Sequence, residues 1–130
     1  MQIVNPTELG KAQGYSNGIV LGPGRTLFVA GQIGWTSEHV LVGKDLASQF
    51  GQALSNVLTV VRAAGGKAQH VGRLTIYVTD KEAYVAARKE IGAPYKALMD
   101  GHYPAMALLV VAGLLEPGAL VEIEATAVLS

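Results

Sequence analysis

An apolar stripe with helical spacing, between Asp45 and Gly66, is the feature that most constrains how this chain folds. Apolar side chains recur every three or four residues here, as on the buried face of an amphipathic helix: Leu46, Phe50, Leu54, Val57, Leu58 and Val61. Asp45 is a suitable N-cap, and Gly65-Gly66 is a suitable stop signal. The segment is therefore predicted to be a helix that packs one face against a core.

Segments rich in β-forming residues lie on both sides of this helix. Before it, Gly18 to Gly31 contains two such runs around Gly22-Pro23-Gly24, which predicts a hairpin or a close-set strand pair. After it, "RLTIYVTD" from Arg73 to Asp80 alternates between apolar and polar residues and predicts a strand. Two further strands are predicted at the end of the chain, from Ala107 to Val111 and from Leu120 to Leu129, with a turn around Glu116-Pro117-Gly118 between them.

A second helix is predicted to begin near Lys81. Its inner face is marked by apolar residues at helical spacing: Ala83, Ala87, Ile91 and Leu98. Pro94 removes an internal hydrogen bond, so the helix is expected to kink or restart there. The order ββαβαββ, without repeats or linkers, predicts one α+β domain over residues 1–130 with its helices on one face of a sheet.

The composition indicates what covers the other face of the sheet. Half of the residues are hydrophobic and only 15% are charged, with ten basic and ten acidic groups. The balanced charge provides no field for a polyanion, so nucleic acid is not an expected partner. No element remains to cover the second sheet face, and the middle strands carry apolar residues on both faces. We therefore expect neighbouring subunits of a homo-oligomer to cover it.

The sequence also limits the cellular setting and the chemistry. The longest uninterrupted apolar stretch, Ala105 to Leu115, is about half of a bilayer span, and the N-terminus lacks the pattern of an export signal, so a soluble cytoplasmic protein without membrane partners is expected. The chain has no cysteine, and its three histidines show no metal-ligand spacing. Cysteine nucleophiles are thereby excluded, and no metal site is predicted.

The last predicted strand places two acids on one face. Side chains alternate in "VEIEATAV", so Glu122 and Glu124 point the same way and Ile123 points the other way. These acids could lie at a solvated sheet edge or subunit seam, where charges discourage unwanted strand pairing. Alternatively, Glu122 lines a pocket, where a carboxylate can hold or activate a water molecule as a general acid-base group.

Four motifs in one order and spacing carry a resemblance: "GYSNGIVLGPGRTLFVAGQIG", "FGQALSNVLTVVRAAGG", "YPA" and "VEIEATAV". With them the chain resembles the YjgF/RidA family of enamine/imine deaminases over nearly its whole length. The resemblance implies a chorismate-mutase-like fold and a homotrimer with a central barrel of sheets and a ligand cleft at each subunit interface. It also implies hydrolysis of short-lived imines and enamines, such as 2-aminoacrylate, to 2-oxo acids and ammonia without metal or cofactor.

The resemblance also implies roles for particular residues. Glu122 matches the carboxylate that positions the attacking water, and Tyr15 matches a tyrosine in the cleft wall. Backbone groups at Gly31, after Ala30, and near Leu108 would contact the ligand. Each residue also has a plain structural reading, in which Tyr15 is a packed aromatic, Gly31 a strand bend and Leu108 a core residue.

Several positions depart from the family pattern. Met106 follows Pro-Ala, where active members carry an arginine that grips the substrate carboxylate, and a thioether cannot replace such a charged pair. The other departures replace polar residues by smaller or apolar ones: Ala30 for serine, Leu108 for cysteine and Gly92 for asparagine. Arg25, Arg73 or Arg88 could reach the cleft instead, although each is also explained as a solvated surface group.

Two hypotheses about function follow. Glu122 and Tyr15 favour a deaminase or hydrolase whose imine or enamine substrate is not 2-aminoacrylate. Met106 and Ala30 favour a non-catalytic trimeric protein that binds a small ligand or acts like a chaperone. A carboxylate beside Met106 and Leu108 is expected in the first case, with Glu124 nearer the rim of the cleft.

Overall fold

The computed structural model describes all 130 residues. The six strands are β1 (Gln2–Val4), β2 (Gly18–Val20), β3 (Arg25–Ile33), β4 (Val71–Val78), β5 (Ala105–Val110) and β6 (Val121–Leu129). The two helices are α1 (Leu46–Ala63) and α2 (Lys81–Leu98), and short 3-10 turns occupy Thr7–Leu9 and Ala68–His70. The predicted α+β class is confirmed, with one additional short strand at the N-terminus. Neither helix is long and apolar enough to cross a membrane.

Four strands form the main sheet in the order β3-β6-β4-β5. Strand β4 runs parallel to β5 and antiparallel to β6, and β6 runs antiparallel to β3. The predicted pairing of the two runs around Gly22-Pro23-Gly24 is wrong, because β2 pairs with β1 in a separate small sheet. Gly24 instead lies against the backbone carbonyl of Leu129, where any Cβ would clash, so the glycine allows β3 to begin beside the end of β6.

The predicted boundaries of α1 are confirmed. The Asp45 carboxylate accepts a hydrogen bond from the backbone N–H of Ser48, which lowers the pKa of this acid and caps the first turn. The helix ends at Ala63, and its cap residue Ala64 is followed by Gly65 with a φ of 89°, a left-handed conformation that glycine adopts without strain. Its predicted apolar stripe is buried against the sheet: Leu46, Phe50, Leu54, Val57, Leu58 and Val61.

Helix α2 begins at its predicted position, where the Asp80 carboxylate accepts from the backbone N–H of Ala83. It then continues through Pro94 as one helix to Leu98, so the predicted restart is wrong. Pro94 is exposed, whereas Ile91 and Tyr95 on either side of it are buried in the core. Packing of these neighbours outweighs the single internal hydrogen bond that proline removes.

Both helices pack on one face of the main sheet, as predicted. The buried positions of β4 and β6 alternate, and the helix-facing residues include Leu74, Ile76, Ile123 and Ala125. No element of the chain covers the opposite face. Phe28 is 78% exposed on the edge strand β3, and Leu109 on the other edge strand is also exposed. Such large exposure of an aromatic ring is typical of a surface that another protein molecule covers.

Candidate functional site

A cleft of about 510 Å³ lies between α2 and the edge strand β5, on the side of the sheet that carries the helices. This volume lies in the range of pockets that hold small molecules. The lining is mostly apolar and aromatic: Gln13, Gly14, Tyr15, Phe50, Ile76, Tyr84, Arg88, Ile91, Gly92, Tyr95, Tyr103, Met106 and Leu108. Three of the residues singled out from the sequence, Tyr15, Met106 and Leu108, therefore meet at one cleft.

The β5 side of the cleft is set by strand register. Met106 lies opposite Leu74 and Leu108 opposite Ile76, so both side chains point toward the helices and not toward the uncovered face. Tyr15 enters from the loop before β2. That loop is fixed by Ser16, whose hydroxyl donates to the Tyr103 carbonyl at 2.6 Å and whose N–H donates to the Pro104 carbonyl at 3.2 Å.

The α2 side of the cleft presents Arg88, one of the three candidate arginines, together with Tyr84, Ile91 and Tyr95, which were not expected there. Tyr84, Arg88, Ile91 and Tyr95 follow one another at intervals of three or four residues, so they share one helix face. The sequence alone shows this helical spacing. It places one arginine in a row of otherwise apolar and aromatic residues, which is the pattern that could have indicated a cleft wall. Arg88 is the one charged side chain in the lining. Burial raises the pKa of Tyr84, and the positive charge of Arg88 opposes that rise.

Tyr95 has an unusual position among these residues. Its side chain is 7% exposed, and its ring stacks on Tyr103 with centroids 5.8 Å apart. The hydroxyl is buried and has no hydrogen-bond partner within the chain. Burial raises the pKa of this phenol far above its usual range, so it stays a neutral O–H donor. An unpaired buried donor is costly, and it marks a place where a bound molecule or water can accept a hydrogen bond.

Glu122 does not lie in this cleft. It pairs with Ile33 on β3 and with Tyr77 on β4, and its side chain lies on the uncovered face of the sheet. The carboxylate lies against Gly31, where a Cβ would be 2.5 Å from Oε2. The ladder between β3 and β6 shifts register between Val29 and Gln32, so Ala30 and Gly31 form the irregularity beside this acid.

Glu124 occupies a different environment on the same face. Its Oε1 accepts a hydrogen bond from the Tyr77 hydroxyl at 2.8 Å, and this bond raises the pKa of Tyr77. Glu124 lies opposite Thr75, whereas Glu122 is the second residue of β6. Within one subunit, the two acids lie on the face of the sheet opposite Met106 and Leu108, so the expected contact between a carboxylate and these residues stays a prediction for an interface between subunits.

The three candidate arginines and the buried His102 lie in different parts of the structure. Arg73 is exposed and lines a shallow hollow on the Glu124 side, and Arg25 begins β3, so within one subunit only Arg88 of the three candidate arginines lines the cleft. His102 is buried, and its Nε2 donates to the Val71 carbonyl at 2.7 Å, which is a structural role. No group of three or more histidine, cysteine, aspartate or glutamate side chains could hold a metal ion.

Comparison with known proteins identifies the family. The sequence model described as Endoribonuclease L-PSP matches residues 6–129. A Rattus norvegicus protein named 2-iminobutanoate/2-iminopropanoate deaminase is 35% identical over 105 residues, which cover 80% of this chain and 73% of the rat protein. The protein of the same name from Escherichia coli K12 is 32% identical over 117 residues, covering 88% of this chain and 86% of its own length.

Solved structures agree with this assignment. YyfB of Yersinia pestis, a protein of unknown function in the conserved Rid family, superposes with a TM-score of 0.86 at 36% identity and 98% coverage of both chains. TdcF of Escherichia coli, solved with bound serine, gives a TM-score of 0.70 at 30% identity, covering 93% of this chain and 92% of its own. On the family match, the relatives and the shared fold, the chain belongs to the YjgF/RidA family, whose sequence model carries the description Endoribonuclease L-PSP.

Proposed function

We propose that this protein is a cofactor-independent deaminase that hydrolyses an imine or enamine of a small molecule at a cleft completed by a second copy of the chain. The carboxylate of Glu122, held against Gly31 on the uncovered sheet face, is the observation that carries the proposal. An acid held in this way suits a general base for water. Relatives named as 2-iminobutanoate/2-iminopropanoate deaminases, at 32–35% identity, support the same reaction type.

A homotrimer would bring the two halves of such a site together. Phe28, Leu109 and the acids of β6 lie on the face that the helices leave open, whereas Tyr15 and Met106 line the cleft on the other side. Association through the open face would cover its apolar residues and would place the Glu122 of one subunit near the cleft of its neighbour. The resemblance to the trimeric family supports this arrangement.

The reaction follows from the chemistry of a C=N bond. Glu122 accepts a proton from a water molecule as the water oxygen adds to the imine carbon, and it then passes this proton to the nitrogen, which becomes an amine. In the resulting carbinolamine, Glu122 takes the hydroxyl proton and passes it to the nitrogen as the C–N bond breaks, so the nitrogen leaves as ammonia. The products are a carbonyl compound and ammonia, which together balance the imine and the water.

Met106 sets the limits of the substrate. It is half-buried in the cleft wall at the position where the resemblance implies an arginine. A charge-assisted bidentate pair contributes about 1.5–3 kcal/mol, so activity on 2-aminoacrylate should be weak or absent. The same observation favours a second candidate function, a trimer that binds a small ligand in these clefts without transforming it.

One experiment separates the two functions. A 2-imino acid is generated in situ by an amino-acid oxidase, and the loss of its semicarbazide adduct is followed with wild-type protein, Glu122→Gln and the matched control Glu124→Gln. For a deaminase, Glu122→Gln should lose turnover. Its oligomer should stay intact, and its melting temperature should be unchanged or slightly higher. Glu124→Gln should lose much less turnover. No loss of the adduct with wild-type protein would refute the deaminase and favour the ligand-binding trimer, and equal turnover of wild type and Glu122→Gln would refute the role of Glu122. A marked loss of melting temperature would make Glu122 a structural residue instead.

A further inference from the structure

We infer that Arg88 is the carboxylate anchor of this cleft, and that it selects a carboxylic acid with an aromatic or long apolar side chain. The inference rests on the proposed function for the kind of molecule that enters the cleft, and it goes beyond that function by naming the recognition residue and the substrate class. Three observations support this inference: the position of Arg88, the aromatic lining of the cleft and the unpaired hydroxyl of Tyr95.

The position of Arg88 is the first step. It lies one helical turn after Tyr84 and one turn before Gly92, on the face of α2 that forms the cleft wall. As the one charged group among the lining residues, it gives the cleft a single positive charge. A guanidinium presents paired N–H donors that match a carboxylate, so an anionic group is favoured and a cationic ligand is disfavoured.

The unpaired hydroxyl of Tyr95 is the second step. It lies on the same helix face as Arg88, about two turns further along, and it is buried without a partner in the cleft wall. A ligand that reaches from Arg88 toward Tyr95 can accept this hydrogen bond with an oxygen or imine nitrogen. The chain therefore offers two polar contacts on α2, on the wall opposite Met106, where the resemblance implies the usual anchor.

The size and the lining of the cleft define the rest of the ligand. A small imino acid would leave most of the 510 Å³ cleft to water, against a wall rich in aromatic rings. Gly92 adds further room, because no atom lies within 4 Å of the place where its Cβ would stand. Aromatic surfaces and a thioether such as Met106 favour an apolar body, which makes phenylalanine-like or leucine-like acids the fitting class.

Binding of a stable 2-oxo acid tests the inference without turnover. Phenylpyruvate, its methyl ester and 2-oxobutanoate are titrated calorimetrically into wild type, Arg88→Met, Arg88→Lys and the control Lys89→Met. Lys89 is an exposed cation on the same helix that does not line the cleft. We expect phenylpyruvate to bind more tightly than either 2-oxobutanoate or the methyl ester of phenylpyruvate. Arg88→Met should weaken the binding of phenylpyruvate about tenfold.

The other variants sharpen the result. Arg88→Lys should retain part of the affinity, Lys89→Met all of it, and Tyr95→Phe should weaken binding about fivefold. Unchanged phenylpyruvate affinity in Arg88→Met would overturn the anchor, and equal affinity for the two acids, or no binding of phenylpyruvate, would overturn the substrate class. Because no step here requires turnover, these binding results can support the inference even if the wild-type protein shows no deaminase activity, and they can overturn it while that activity is confirmed.

Discussion

Replacing Gly31 by alanine tests whether the placement of the Glu122 carboxylate matters for turnover. The new Cβ would stand 2.5 Å from Oε2, whereas an ordinary contact begins at 3.4 Å, so the carboxylate must retreat by about 0.9 Å. Displacing a catalytic group by about 1 Å costs up to about 100-fold in rate. We therefore expect turnover of the imine substrate to fall by about 10- to 100-fold, which corresponds to about 1.4–2.7 kcal/mol of activation free energy.

Stability should change little in the same variant. The atoms that the Cβ meets belong to the end of the Glu122 side chain, which can rotate away at a cost of about 0.5–1.5 kcal/mol. The loss of glycine freedom in the unfolded chain offsets about 0.4–1 kcal/mol of this cost. The melting temperature should therefore move by less than about 4 °C.

A matched glycine variant and a double variant complete this test. Gly51 on α1 has no atom within 4 Å of its missing Cβ, so Gly51→Ala should raise stability by about 0.5–1 kcal/mol and leave turnover unchanged. In Glu122→Gln the Gly31→Ala change should cost little further activity, because both changes act on one group. The reasoning is refuted if Gly31→Ala keeps full turnover, or if the two losses simply add.

The remaining predictions concern the whole molecule. Gln49→Leu removes three hydrogen bonds, to the Gly43 and Gly118 carbonyls and from the Leu120 N–H. The free energy of unfolding should fall by about 3 kcal/mol, which lowers the melting temperature by about 10 °C at fixed protein concentration. A loss under about 1 kcal/mol in chemical denaturation would show that water replaces these bonds. Because the pKa of Tyr95 is raised in the folded protein, its stabilising contribution is present below pH 10 and is lost as the pH rises further, so Tyr95→Phe should flatten the alkaline fall in stability. Light scattering should give a mass near three times the 13.6 kDa of one chain, and a monomer at micromolar concentration would contradict the trimer.

The helices could be predicted from the sequence because their signals are local. Asp45 and Asp80 each cap a helix one residue before it begins, and the apolar spacing of α1 identifies its buried face. Strand pairing is not local, and the segment around Pro23 shows the difference. Two adjacent β-forming runs predict a hairpin, yet β2 pairs with β1, the strand before it, and β3 pairs with β6 at the other end of the chain.

The candidate site was predictable only in part, for a related reason. Alternation correctly placed Glu122 and Glu124 on one face of β6. Alternation could not show whether Met106 lies on the same face of the sheet as these acids, because that depends on the parallel register of β5 with β4. Arg88 and Tyr95 have the spacing of a single helix face, but the apolar residues Ala83 and Ala87 define an overlapping stripe, and only packing decides which stripe lines the cleft.

The separation of Glu122 from the cleft makes a complementation experiment decisive for a site shared between subunits. Glu122→Gln would lack the carboxylate but keep the cleft, and Gly92→Trp would fill the cleft, where nothing lies within 4 Å of the missing Cβ, but keep the carboxylate. Each variant alone should be inactive. After denaturation and refolding as an equal mixture, about a quarter of the interfaces should join an intact cleft to an intact Glu122 of the neighbour, restoring about a quarter of wild-type activity. If both groups acted within one subunit, every subunit in the mixture would lack one of them, and activity would stay at the level of the separate variants.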